Sequence, residues 1–138
     1  MYKAIAEVHK AFDKAGIKHK VDQIGDHWMI NTGMTGKFST YQFLFIKTDD
    51  TGNDIAMRIF KLVNFPKHKA AAALTVLNSL QQEYRYLRFV LDDDGDVNVE
   101  YDFPAAYSPI GDGALEMVLR TTNILDECYP KLMRSIWG

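Results

Sequence analysis

At 138 residues, with 47% hydrophobic and 25% charged side chains, the chain has the composition of one globular domain and not of a disordered segment. A net charge of −2, with both signs mixed along the chain, excludes a broad electrostatic grip on nucleic acid or anionic lipid. The single cysteine, Cys128, has no partner for an internal disulfide and points to a reducing compartment.

The N-terminus reaches Glu7 before any hydrophobic run develops, which argues against a signal peptide. No window approaches the ~18 apolar residues of a membrane span, so a cytoplasmic location is expected. Residues 2–15 read as an amphipathic helix, with Ile5, Val8, Phe12 and Ala15 on one face. Gly16-Ile17 has the form of a left-handed C-cap. Lys18–Ile24 is a weak strand at best. Stronger strands follow at Trp28–Met34, Tyr41–Thr48 and Asp54–Val63, joined by turns rich in Gly and Asp, including Asp49–Asn53. Such short connections require antiparallel neighbours. In the middle strands both faces are apolar. Tyr41, Phe43 and Phe45 oppose Leu44 and Ile46, while Ile55, Met57 and Ile59 oppose Phe60 and Leu62.

From Pro66 the apolar residues Ala70, Ala73, Leu74, Leu77, Leu80, Tyr84 and Leu87 follow a helical period. They predict a helix of roughly 30 Å, opened by Pro66. A hairpin over Arg88–Tyr101 comes next. A two-residue Asp94-Gly95 turn would set Phe89 across from Glu100. A three-residue loop, Asp93-Asp94-Gly95, instead pairs Leu91 with Val97, Phe89 with Val99 and Leu87 with Tyr101, and places Gly95 in the left-handed position. The second register separates the faces. After a loop over 104–112, a last helix is expected from about Gly113 to Cys128, with a kink at Pro130 and a further turn or two. The order is helix, three strands, long helix, two strands, helix. It predicts one α+β domain over 1–138, with a twisted antiparallel sheet of about five strands.

Candidate chemistry is sparse. The cluster Asp92-Asp93-Asp94-Gly95-Asp96 fails the EF-hand template, because Val90 and Tyr101 fall where the first and last ligands belong. His9, His19, His27 and His68 are scattered, with no two four residues apart and no cysteine nearby, so no metal site is predicted. Cys128 lies on an apolar stripe and reads as a core residue. Gly111-x-Gly113 lacks the third glycine of a dinucleotide fingerprint. Asn78 lies beside the stripe of the middle helix, either tying the helix to neighbouring backbone or contacting a ligand. No cofactor, catalytic residue, nucleic acid or membrane is indicated.

Leu77-Asn78-Ser79-Leu80, Arg88-Phe89, Asp94-Gly95-Asp96-Val97, Tyr101-Asp102 and Tyr129-Pro130 with Trp137-Gly138, in that order, resemble the YbjN-like bacterial proteins. That family looks like the type III secretion chaperones in fold. Its pattern often has a second asparagine three residues after the first, and here that position is Gln81. The resemblance implies a bacterial, cytoplasmic, non-enzymatic protein, often dimeric, with a regulatory or chaperone-like role. The expectation is therefore a protein-interaction module that forms a two-fold homodimer through Leu44, Ile46, Phe60, Leu62, Ala70, Ala73 and Asn78. The alternative is a small-molecule binder or enzyme with a pocket beneath the middle helix, using Asn78 and Tyr101.

Overall fold

Two-residue alternation sorts the strand side chains onto two faces, and three amphipathic helices cover one of them. The computed structural model describes residues 1–52, 54–104 and 109–138. Its elements are α1 (Lys3–Ala15), β1 (Lys20–Ile24), β2 (His27–Thr35), β3 (Thr40–Lys47), β4 (Ile55–Asn64), a 3-10 turn (Lys67–Lys69), α2 (Ala70–Glu83), β5 (Arg88–Leu91), β6 (Asp96–Phe103) and α3 (Ile110–Trp137). The strands form one antiparallel sheet in the order β1-β2-β3-β4-β6-β5. The α+β class and the order of elements agree with the sequence pattern, but the strands among the described residues number six. The additional one is β1, which pairs along its length with β2, from Lys20 opposite Asn31 to Ile24 opposite His27. An edge strand buries little, so apolar patterning understates it.

The core face of the sheet presents Ile30, Phe43, Phe45, Met57, Val99 and Phe103. These pack with Ile5, Val8 and Phe12 of α1, Leu77 and Leu80 of α2, and Val118, Leu125 and Leu132 of α3 in one buried cluster. α1 ends as its sequence predicts: Gly16 has a φ of 72°, and the Ile17 N–H donates to the Phe12 carbonyl at 2.9 Å. α3 packs on both other helices. Where it meets α1, a Cβ on Gly111 would lie 2.5 Å from the Glu7 carbonyl oxygen and 2.9 Å from the Ala11 side chain. Only glycine admits this approach.

Two helix lengths differ from the pattern. α2 stops at Glu83, because Tyr84 is extended and Tyr86 takes a φ of 74°. Leu87 is still buried, but from the connection and not from a helix. Ala70 and Leu74, assigned to the buried stripe, are exposed. The longest helix is α3, with 28 residues, or about 42 Å at ~1.5 Å per residue. It passes through Pro130 without ending. Proline removes a donor to the Asp126 carbonyl four residues back, yet Cys128, Leu132 and Ile136 around it are buried and hold the helix in place. The predicted loop over 104–112 lies partly outside the described residues, as does Asn53 of the β3–β4 turn, and Ile110–Asp112 form the first turn of α3.

The hairpin adopts the three-residue loop. Arg88 lies opposite Glu100, Phe89 opposite Val99 and Leu91 opposite Val97, and Gly95 has a φ of 82°. A side chain there would also collide with the Phe65 carbonyl oxygen, whose own N–H donates to the Gly95 carbonyl at 2.8 Å. In β4, residues 60–62 stand opposite Asn98 alone, which makes a bulge. Lys61 has a φ of 56°, and its N–H donates to Asn98 Oδ1 at 2.9 Å. Alternation breaks at this point, so Phe60 is 51% exposed while Leu62 packs against the core.

Asp126 of α3 holds the β2–β3 hairpin down on the helix layer. Its Oδ1 accepts the Tyr41 hydroxyl at 2.8 Å and the Lys37 N–H at 2.9 Å. Phe38 stacks on Tyr129 at 6.2 Å between ring centres. Burial, and then the Asp126 carboxylate, push the Tyr41 phenol well above its ordinary range. The folded state therefore prefers the neutral phenol, and the stability this contributes is complete below about pH 10 and is lost as pH rises further.

Gly95→Val should cost on the order of 1–2 kcal/mol for the left-handed backbone alone, with the Phe65 collision added. A urea midpoint equal to that of the parent would contradict the loop geometry. Asp126→Ala should cost about 1–3 kcal/mol through its two lost donors. The same substitution should let Tyr41 ionise at lower pH, followed by phenolate absorbance; an unchanged titration would show that the carboxylate does not govern it.

Candidate functional site

With all three helices on the core face, the opposite face of the sheet is left to its own side chains. Met29 of β2 lies opposite Ile46 of β3, which lies opposite Ala56 of β4. The three make an apolar strip across adjoining strands, and Leu44 extends it between Asn31 and Arg58. All four apolar residues are half-buried by their sheet neighbours only, and Phe60 stands out at the bulge. Towards β6 and β5 the same face turns charged. Arg58 donates to Asp102 Oδ1 at 2.7 Å and lies 3.8 Å from Glu100 Oε2. Arg88 pairs with Glu100 from the other side. The Glu100 carboxylate raises the pKa of the Arg88 guanidinium. Two cations thus face two anions.

The residues assigned to interaction do not form one surface. Leu44, Ile46 and Phe60 lie on the outer face of the sheet. Leu62 packs against the core because the bulge breaks its alternation with Phe60. Ala73 is fully buried in the helix layer, so it cannot admit a neighbouring chain, and Ala70 is exposed at the start of α2. The middle helix and the outer strand face lie on opposite sides of the sheet, which rules out a single interface made from both. Asn78 is exposed on α2. Tyr101 faces the core side, edge-on to Tyr86 at 5.9 Å and to Phe103 at 4.8 Å. The cleft between α2 and the hairpin tip holds about 200 Å³ and is lined by Phe65, Pro66, Lys67, Ala70 and Leu91–Gly95. Neither Asn78 nor Tyr101 borders it, and it is smaller than the ~300 Å³ at which small-molecule sites begin.

The acidic tip is occupied with its own fold. Asp92 Oδ1 accepts the N–H groups of Asp94 at 2.9 Å and Asp96 at 3.0 Å, and its Oδ2 accepts from Asn98 at 3.2 Å. Cys128 is fully buried, and burial pushes its thiol up to about 12. One constellation escapes a sequence reading altogether. His9 and His19 meet at 2.7 Å, with Asp13 beside both. Only the His9–Asp13 spacing of four residues along α1 could have signalled it.

No protein-family model matches the chain, and no curated protein is detectably similar to it. Among the described residues, no helix is long and apolar enough to cross a membrane.

Cys128 should resist a thiol reagent in the native protein at pH 8 and react with one equivalent after denaturation, since the thiolate is the reactive form. Rapid native labelling would show that the site opens.

Proposed function

We propose that the chain is a non-enzymatic protein-interaction module, chaperone-like or regulatory, that acts as a two-fold homodimer through the outer face of its sheet. The observation that carries this reading is the strip Met29–Ile46–Ala56 with Leu44, which no helix among the described residues covers. A second copy suits this face for two reasons. Its charges are of both signs and largely paired within the chain, Arg58 and Arg88 with Glu100 and Asp102 and Lys20 with Asp22, so two such faces can meet without strong repulsion. Six strands at ~4.8 Å spacing and about 20 Å of strand length also give a face of roughly 600 Å², near the ~800 Å² per partner of a stable dimer. The resemblance to the YbjN-like proteins supports the same reading and favours a bacterial, cytoplasmic setting.

In such a dimer the helix layers face outward to other proteins. There Leu74 is 59% exposed on a helix that carries no charged residue from Ala70 to Gln82, an uncharged surface suited to apolar polypeptide.

Light scattering across a wide concentration range should give twice the chain mass, and Ile46→Glu should give the single-chain mass with unchanged circular dichroism. A single-chain mass at every concentration for the parent protein would remove the dimer.

A further inference from the structure

We propose that His9, Asp13 and His19 form a binding site for a divalent transition metal, with zinc the best match. The site is built from α1 and the turn that follows it. The four-residue spacing puts His9 and Asp13 on one face of the helix, and the left-handed turn at Gly16 sends the chain back so that His19 lies against that face.

His19 is oriented as a ligand. Its side chain is only 4% exposed, and the Phe12 ring meets it edge-on at 5.5 Å. Its Nδ1 lies 2.7 Å from the Ile17 carbonyl oxygen. A carbonyl can only accept, so Nδ1 carries the hydrogen and Nε2 is the bare nitrogen. A carbonyl on the far nitrogen is the usual means by which a protein fixes a metal-binding imidazole. The bare Nε2 lies 2.7 Å from His9 Nδ1 and 3.7 Å from Asp13 Oδ1.

Metal–nitrogen bonds of about 2.0–2.1 Å set tetrahedral ligand atoms roughly 3.3 Å apart. The separation from Asp13 must close by about 0.4 Å to reach this value. That from His9 is a hydrogen bond and must widen by about half an ångström, and the His9 side chain, 39% exposed, has the room. Without metal, His9 Nδ1–H donates to His19 Nε2. With metal on Nδ1, the hydrogen of neutral His9 resides on Nε2, which lies 3.4 Å from Asp13 Oδ2. Asp13 then offers Oδ1 to the metal, on the side of His19 Nε2. Two imidazoles and one carboxylate suit zinc or cobalt better than calcium or magnesium. Three protein ligands leave one position for water or a donor from another molecule.

Titration of the full chain with zinc, followed by calorimetry, tests the site, and cobalt absorption in the visible range reports the geometry. One equivalent should bind, with the intense visible bands of tetrahedral cobalt. His9→Gln and Asp13→Asn change partly exposed side chains, so they should keep the parent's circular dichroism. Each should weaken binding at least about tenfold, the scale on which even the outer partners of metal ligands matter. His27→Gln should change nothing. No zinc binding by the parent chain, or unchanged affinity in His9→Gln, would overturn the proposal.

Discussion

The sheet has one apolar face and a second that is apolar only across β2 to β4, and the three helices cover the first. Three helices side by side at ~10 Å each span about 30 Å, and six strands at ~4.8 Å span about the same. α1, α3 and α2 therefore fill the core face and leave nothing over. Other features follow from this match. α3 must lie against both its neighbours, which is why it runs 28 residues, passes through Pro130 and needs Gly111 where α1 crosses it. On the uncovered side, Leu44 and Ile46 are sheltered only by their cross-strand neighbours.

Polar groups near the core serve mainly to tie loops to this layered body. Lys47 sits at the end of the core face with its side chain 4% exposed, and its ammonium donates to Asp54 at 2.6 Å and to the Thr51 carbonyl at 2.8 Å. Hydrogen bonds from Thr51 hold the Asp49 carboxyl below its ordinary value in the same turn. Asp92 and Asp126 do equivalent work at the other hairpin and on α3. A carboxylate whose lone pairs are committed to backbone N–H groups is poorly placed for acid–base chemistry. Asp49, Asp92 and Asp126 are in this sense architectural. The His9–Asp13–His19 group differs because its ring nitrogens face one another and not the backbone, apart from the one bond that orients His19.

The two proposed sites are structurally independent. The proposed dimer face is the outer side of β2, β3 and β4, whereas the proposed metal ligands His9, Asp13 and His19 lie on α1 and the turn after it. A bound metal would brace the α1–β1 connection.

Local rules of geometry made much of this fold legible in the sequence. The period-2 faces of β2 to β4, the Gly16 cap and the Asp93–Gly95 loop each depend on residues close together in the chain, where steric preference and pairing register decide the outcome. The class and order of elements followed from them. Tertiary structure alone decided the rest. β1 exists because β2 offers it an edge, α2 ends where Tyr84 leaves the helix, and α3 persists because buried residues flank its proline. The bulge that turns Leu62 towards the core depends on Asn98, far off in sequence. The candidate sites divide the same way. Alternation put Leu44 and Ile46 on a face opposite Phe43 and Phe45, but which face the helices would cover was not in the pattern. His9 and His19 carry no shared motif, and only the reversal of the chain at Gly16 brings their ring nitrogens within a hydrogen bond.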